Sequence, residues 1–164
     1  CANIYSPREK HYPFNGNAND ESGNGHNGVV YGASLALDRF GQPNKSYSFD
    51  GSDDHIDFGT FIPDLSTLTV SFWHKQSGSG SGVVFCDEDQ APGRDLNMRV
   101  SNSTVVYTSG KVTESFGAQI DTGITFVDEF RNVVWIVSSN YSSLYVDGEL
   151  IDTKNGNADR KSVV

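Results

Sequence analysis

Long apolar runs are missing from this chain: nothing approaches the roughly 20 consecutive residues that a membrane-crossing helix requires. No basic-then-apolar leader precedes the first residue either, so the expectation is a leader already removed or never present. Cysteine is scarce, and Cys1 and Cys86 are too few to build a disulfide framework. Two readings of Cys1 stand side by side: the acylated first residue of a bacterial lipoprotein, giving a lipid anchor, or an arbitrary chain boundary. Positive charge is scarce as well. Twelve Lys and Arg against 21 Asp and Glu give a formal net charge of −9, which disfavours a nucleic-acid partner because phosphate binding needs a basic stripe. An acidic surface suits cations, neutral ligands or solubility. There is also no G-x-S-x-G elbow to present a nucleophilic serine.

What the chain does contain is enough for a core. Of its 164 residues, 36% are hydrophobic and 20% charged, consistent with one globular domain over 1–164. The periodicity is that of strands. In LTVSFWHK, Leu68, Val70 and Phe72 fall on one face while Thr69, Ser71 and Trp73 fall on the other. Further runs are Tyr47 to Phe49, His55 to Phe58, Gly82 to Cys86, Leu96 to Val100, Thr104 to Tyr107, Asn132 to Ser139 and Ser143 to Val146. Asp147-Gly148 then separates SLYV from ELID, and an Asp-Gly pair between two apolar runs predicts a hairpin. Turn-rich stretches such as QSGSGSG punctuate the rest. Many short strands with little helix predict an all-β fold, a two-sheet antiparallel β-sandwich, specifically a jelly roll.

The ordered series YPFNGNANDESGNGHNG, SYSFDGSDDHIDFG, LTVSFWHK and LYVDGEL resembles the laminin-G-like, concanavalin-A-like jelly-roll family, which has the pentraxins among its distant relatives. The likeness runs from about Tyr12 to Ile151. It implies a recognition or adhesion role as readily as glycan cleavage, because this fold hosts both. Members of that family usually add an apolar-glycine strand and a closing strand that pairs with the YPF strand. Here the chain ends NGNADRKSVV instead. Either the domain is truncated, or it is closed differently, for example by a strand from a second copy, which would make a homo-oligomer by strand exchange.

Three acidic clusters are candidate sites. Asp20, Ser22 and Asn24 alternate as oxygen-bearing side chains before Gly25, matching the first half of a D-x-[DN]-x-[DN]-G calcium loop. The twelfth place is Tyr31 where the motif wants a bidentate Glu, so it is no EF-hand. What stays open is a calcium site completed by other oxygens, or a turn in which Asn and Asp bond nearby amides. The second cluster is CDEDQAPGRD, with Asp87, Glu88, Asp89 and Asp95; the pentraxin resemblance implies calcium ligands near Asp95, while the residues alone read as a solvated turn. In the third, GSDDHIDFG, Asp53 and Asp54 read as turn residues, while His55 and Asp57 alternate on the strand that follows; His55 with an adjacent Asp could hold a metal or act as acid and base, but a lone histidine on a strand face is usually a polar surface residue. Trp73, on the polar face of its strand, is placed to stack on a sugar ring or to lie under a loop.

The glucanase branch of the family carries its catalytic carboxylates as E-x-D-x-E, and no such series occurs here. Glu129 in EFRN stands by itself. The sequence therefore points to a non-catalytic extracellular recognition module, binding glycan or a surface protein with calcium as an optional aid. Its rival is a structural or adhesive spacer of a cell-surface protein, with a glycan-cleaving enzyme ranked last.

Overall fold

A computed structural model describes residues 10–59, 67–87, 96–101, 105–111, 115–138 and 141–155. Two compact units divide the chain, Cys1–Phe61 and Ile62–Val164. Every regular element among the described residues is a strand. Among the described residues no helix is long and apolar enough to cross a membrane.

Among the described residues the first unit holds four strands of three residues each: β1 (Val29–Tyr31), β2 (Ser34–Ala36), β3 (Ser46–Ser48) and β4 (His55–Asp57). They form two antiparallel pairs, β1 with β4 through Val30 opposite Ile56, and β2 with β3 through Leu35 opposite Tyr47. Aromatic rings take over where the strands are short. Tyr12 lies against Phe58 with centroids 4.2 Å apart, and Phe14 meets Tyr47 edge-on at 5.3 Å. The expected YPF strand is absent: Tyr12 to Phe14 are not extended pairing partners, and Phe14 itself adopts φ 55°. A left-handed backbone at a bulky residue breaks strand geometry.

The second unit contains two four-stranded antiparallel sheets. One has the order β12 (Glu149–Asn155), β11 (Tyr141–Val146), β10 (Arg131–Ser138), β5 (Thr67–His74). The other is a meander of β6 (Ser81–Asp87), β7 (Leu96–Ser101), β8 (Val105–Lys111) and β9 (Ser115–Asp121). Their facing sides share one core. Val133, Trp135 and Val137 of β10 and Leu144 and Val146 of β11 are buried together with Met98 and Val100 of β7 and with Phe126. Leu68, Phe72, Val84, Phe85 and Ile151 pack around them. Trp135 and Phe85 meet across the layers, edge to face at 6.4 Å. Each sheet buries one apolar face against the other, and the result is the expected β-sandwich.

The expected Asp-Gly hairpin joins β11 to β12. Asp147 has φ 51° and Gly148 φ 84°, the paired left-handed conformations of the two-residue turn that matches strand twist.

Candidate functional site

Register decides what the outer face of the β5 sheet carries. Along β5 exposure alternates, with Leu68 and Phe72 turned to the core and Thr67, Thr69, Ser71 and Trp73 turned away from it. Residues directly opposite across a sheet share a face. Trp73 therefore shares the outer face with Asn132, Ser71 with Val134, and Thr69 with Ile136. The rows continue from Val134 to Tyr145 and Leu150, and from Ile136 to Ser143 and Thr153.

A bulge in β12 sets the last of these positions. Leu144 faces Asp152 while its neighbour Tyr145 faces Leu150, so β12 contributes one extra residue, Ile151. Downstream of it Thr153, not Asp152, stands opposite Ser143, and the two hydroxyls meet at 2.8 Å. Asp152 instead pairs with Lys154 at 2.7 Å. That ion pair holds the Asp152 carboxyl below the usual carboxylate range: the hydrogen bond from Lys154 leads, and it outweighs burial. The described strand positions of these rows carry no charged side chain, and the Trp73–Asn132 row ends beside Asp147, whose Oδ1 accepts the Asn132 backbone N–H at 2.9 Å. Trp73 is 45% exposed and Leu150 51%, with the half-buried Val134 and Tyr145 between them.

The loop of the first unit is organised by Asp20. Its Oδ1 accepts the backbone N–H of His11 at 3.0 Å and of Ser22 at 2.9 Å, and Oδ2 accepts that of His26 at 3.1 Å. Burial pushes this carboxyl up, but the Ser22 side chain and the three amides outweigh burial and hold it well below the usual range. The amide of Asp20 donates to Asn27 Oδ1 at 3.0 Å. Ser22 Oγ accepts both the backbone N–H and the side-chain amide of Asn24. The Tyr12 hydroxyl donates to the His26 carbonyl at 2.6 Å, and its pKa is pushed up to about 12 by burial and then by the Asp20 charge. Asp20, Ser22 and Asn24 are thus brought together, and the contacts they make are those of a tight turn.

The third cluster gains a member that sequence reasoning missed. Asp50, Asp53 and Asp54 bring one carboxylate oxygen each within 4.8 Å of one another at the β3–β4 turn. Asp54 Oδ2 accepts the Asp50 amide, and Asp50 Oδ1 accepts the Ser52 amide. Exposed acidic turns of this kind are common without an ion. The signal for Asp50 was present in the spacing D-x-x-D-D, which turn chemistry alone explains. His55 stacks on Tyr31 with centroids 4.7 Å apart, and its Nδ1 lies 2.9 Å from the Asp53 carbonyl. A carbonyl only accepts, so Nδ1 carries the proton there. Asp57 accepts the Gly59 amide, and among the described residues it forms no hydrogen bond or ion pair with His55.

Of the second cluster, Asp87 ends β6 opposite Leu96. Asp89 and Asp95 lie outside the described residues, as does Cys1. Glu129 binds Arg131, which also reaches Asp147 Oδ2 at 3.0 Å.

Comparison with known proteins agrees with this architecture. The family model described as concanavalin A-like lectin/glucanases superfamily matches residues 50–163. The chain belongs to that superfamily. Among solved structures, it is similar to an S-layer domain-containing protein from Clostridium thermocellum, at 21% identity and a TM-score of 0.56, over 91% of this chain and 73% of that one. At that identity the likeness concerns the fold. No curated protein matches the chain. Membership accounts for the two-sheet antiparallel sandwich; the matched stretch begins within the β3–β4 turn and takes in LTVSFWHK and LYVDGEL, while YPFNGNANDESGNGHNG lies before it.

Proposed function

We propose that the chain is a non-catalytic recognition module of an exported, cell-surface protein and that it binds a neutral glycan on the outer face of the β5 sheet. One observation carries the reading. On a chain of net charge −9, the rows from Trp73 and Ser71 to Tyr145 and Leu150 hold only uncharged residues, with an aromatic ring at the β5 edge and hydroxyls and an amide beside it. Sugar rings present C–H-rich faces that stack on aromatic surfaces, and their hydroxyls exchange hydrogen bonds with Ser, Thr and Asn. The charges beside Asn132 are already matched, since Asp147 pairs with Arg131 at 3.0 Å. The non-catalytic part rests on the missing E-x-D-x-E series, since glycosidic cleavage needs two carboxylates about 5–10 Å apart across the bond. The surface placement rests on the superfamily and on the likeness to an S-layer domain-containing protein.

A glycan array probed with the wild-type chain and with Trp73→Ala tests this. The expected result is binding to uncharged glycans that falls about tenfold or more in the variant, the change that ~1.4 kcal/mol brings. Running the array with and without chelator reads any assistance by calcium. An array silent in every condition favours the spacer role, which the S-layer name of the structural relative also fits.

A further inference from the structure

Three Asn-Gly pairs fall in the described part of the first unit: Asn15-Gly16, Asn24-Gly25 and Asn27-Gly28. In any Asn-Gly pair the glycine nitrogen can attack the asparagine Cγ. The N–Cγ bond forms, the Cγ–Nδ2 bond breaks, and the side-chain nitrogen leaves as ammonia with the proton from the glycine amide. Water then opens the succinimide ring to aspartate or, by cleavage at the other carbonyl, to isoaspartate. The attack requires the glycine N–H to be released from any acceptor and the peptide plane to turn. What the fold does to those two requirements differs sharply among the three sites.

At Asn27-Gly28 both are opposed. The Gly28 N–H donates to the Ala18 carbonyl at 2.8 Å, and Asn27 Oδ1 holds the Asp20 amide. The backbone is also pressed against neighbours: a Cβ built on Gly28 would meet Ile56 at 2.9 Å and Phe58 at 3.0 Å. At Asn15-Gly16 the glycine N–H donates to the Phe14 carbonyl at 2.8 Å, and Asn15 Oδ1 accepts from Lys45 Nζ at 2.9 Å. Gly25 is different. Among the described residues its N–H donates to no acceptor, and this alone separates it from Gly16, since both pairs are exposed with open space around the glycine and the Asn24 side chain is itself held by Ser22 Oγ at 3.1 Å.

We propose that Asn24 is a modification site, the asparagine of this loop that converts spontaneously to aspartate and isoaspartate in the folded protein, while Asn15 and Asn27 are protected by the fold. The conversion has a local consequence. Ser22 Oγ loses the amide donor of Asn24, and a new carboxylate appears on the loop that Asp20 organises. Isoaspartate further lengthens the backbone inside the turn.

The test is ageing of the intact chain in mildly alkaline buffer, followed by peptide mapping for the mass gain of amide-to-acid conversion and by labelling with an isoaspartyl methyltransferase. In the native protein, Asn24 is expected to convert about fivefold or more faster than Asn15 and Asn27, the protection that one retained hydrogen bond gives. In urea the three sites are expected to converge, because the protection belongs to the fold. Asn24→Ser should abolish the isoaspartate label on the native loop. Native rates at Asn15 or Asn27 equal to that at Asn24, or no conversion at Asn24 while the urea control converts, would overturn the proposal.

Discussion

The indole nitrogen of Trp135 donates to Ser142 Oγ over 2.8 Å inside the core of the second unit, and both residues are at least nine-tenths buried. A large aromatic can be buried this completely only if its N–H finds an acceptor, and β11 supplies one on the neighbouring strand. Ser142→Ala would leave that N–H without its partner in the buried core. The expected loss is about 1–3 kcal/mol in urea unfolding. Ser71→Ala on the outer face of the same sheet serves as the control, with a change within about 0.5 kcal/mol.

His74 stands at the rim of the same core. It faces Arg131 across the β5–β10 pair, its ring lies 5.8 Å from the fully buried Phe126, and its Nε2 is buried with no hydrogen-bond partner among the described residues. Burial lowers its pKa. A histidine with a depressed folded pKa contributes stability that is complete above its unfolded value, about 6.5, and is lost as pH falls below it. It is also the only one of the four histidines in the second unit. Stability of that unit should therefore decline from neutral toward pH 5, by no more than about 1.4 kcal/mol per pH unit. His74→Phe should flatten this part of the curve; an unchanged slope would mean that another group titrates.

Much of the sandwich was legible because its longer strands are amphipathic. β5 alternates cleanly, and Asp147-Gly148 announces its own turn chemistry. β1 and β2 are three residues each, too short for alternation to show, and Phe14 interrupts the expected YPF strand with a left-handed backbone that its sequence does not advertise. The candidate site was half legible. Trp73 could be placed on the outer face from its own strand, but Tyr145 and Leu150 join it only through pairing between strands far apart in the chain. The bulge at Ile151, which leaves Thr153 instead of Asp152 opposite Ser143, is a tertiary choice that period-two reading does not anticipate.

The hairpin offers a test of backbone strain without steric confusion. A Cβ on Gly148 would meet nothing within 4 Å, so Gly148→Ala suffers only from its φ of 84°. The expected cost is about 1–2 kcal/mol, the penalty for a side chain in the left-handed region. Gly82 in β6 also has open space and no such backbone angle. Gly82→Ala should be neutral or stabilising by up to about 1 kcal/mol, because it restricts the unfolded chain. Thermal melts of the two variants should move apart, and a common shift would remove conformation as the cause.

Asp20 fixes its loop with bonds that need no ion. Two oxygens accept three backbone amides, so Asp20→Asn, which puts a donor where an acceptor is required, should destabilise the first unit by about 1–3 kcal/mol. The acid dependence follows from the lowered pKa. The stabilisation is complete above the unfolded carboxylate value, about 3.9, and is lost as pH falls below it toward the folded value. The difference between wild type and Asp20→Asn should therefore persist from pH 7 to about pH 4 and shrink only in stronger acid. Because backbone amides already organise Asp20, the melting temperature should be the same in millimolar calcium and in chelator. A calcium-dependent rise that disappears in Asp20→Asn would instead assign an ion to Asp20, Ser22 and Asn24, since a ligand held only by the native state stabilises it by mass action.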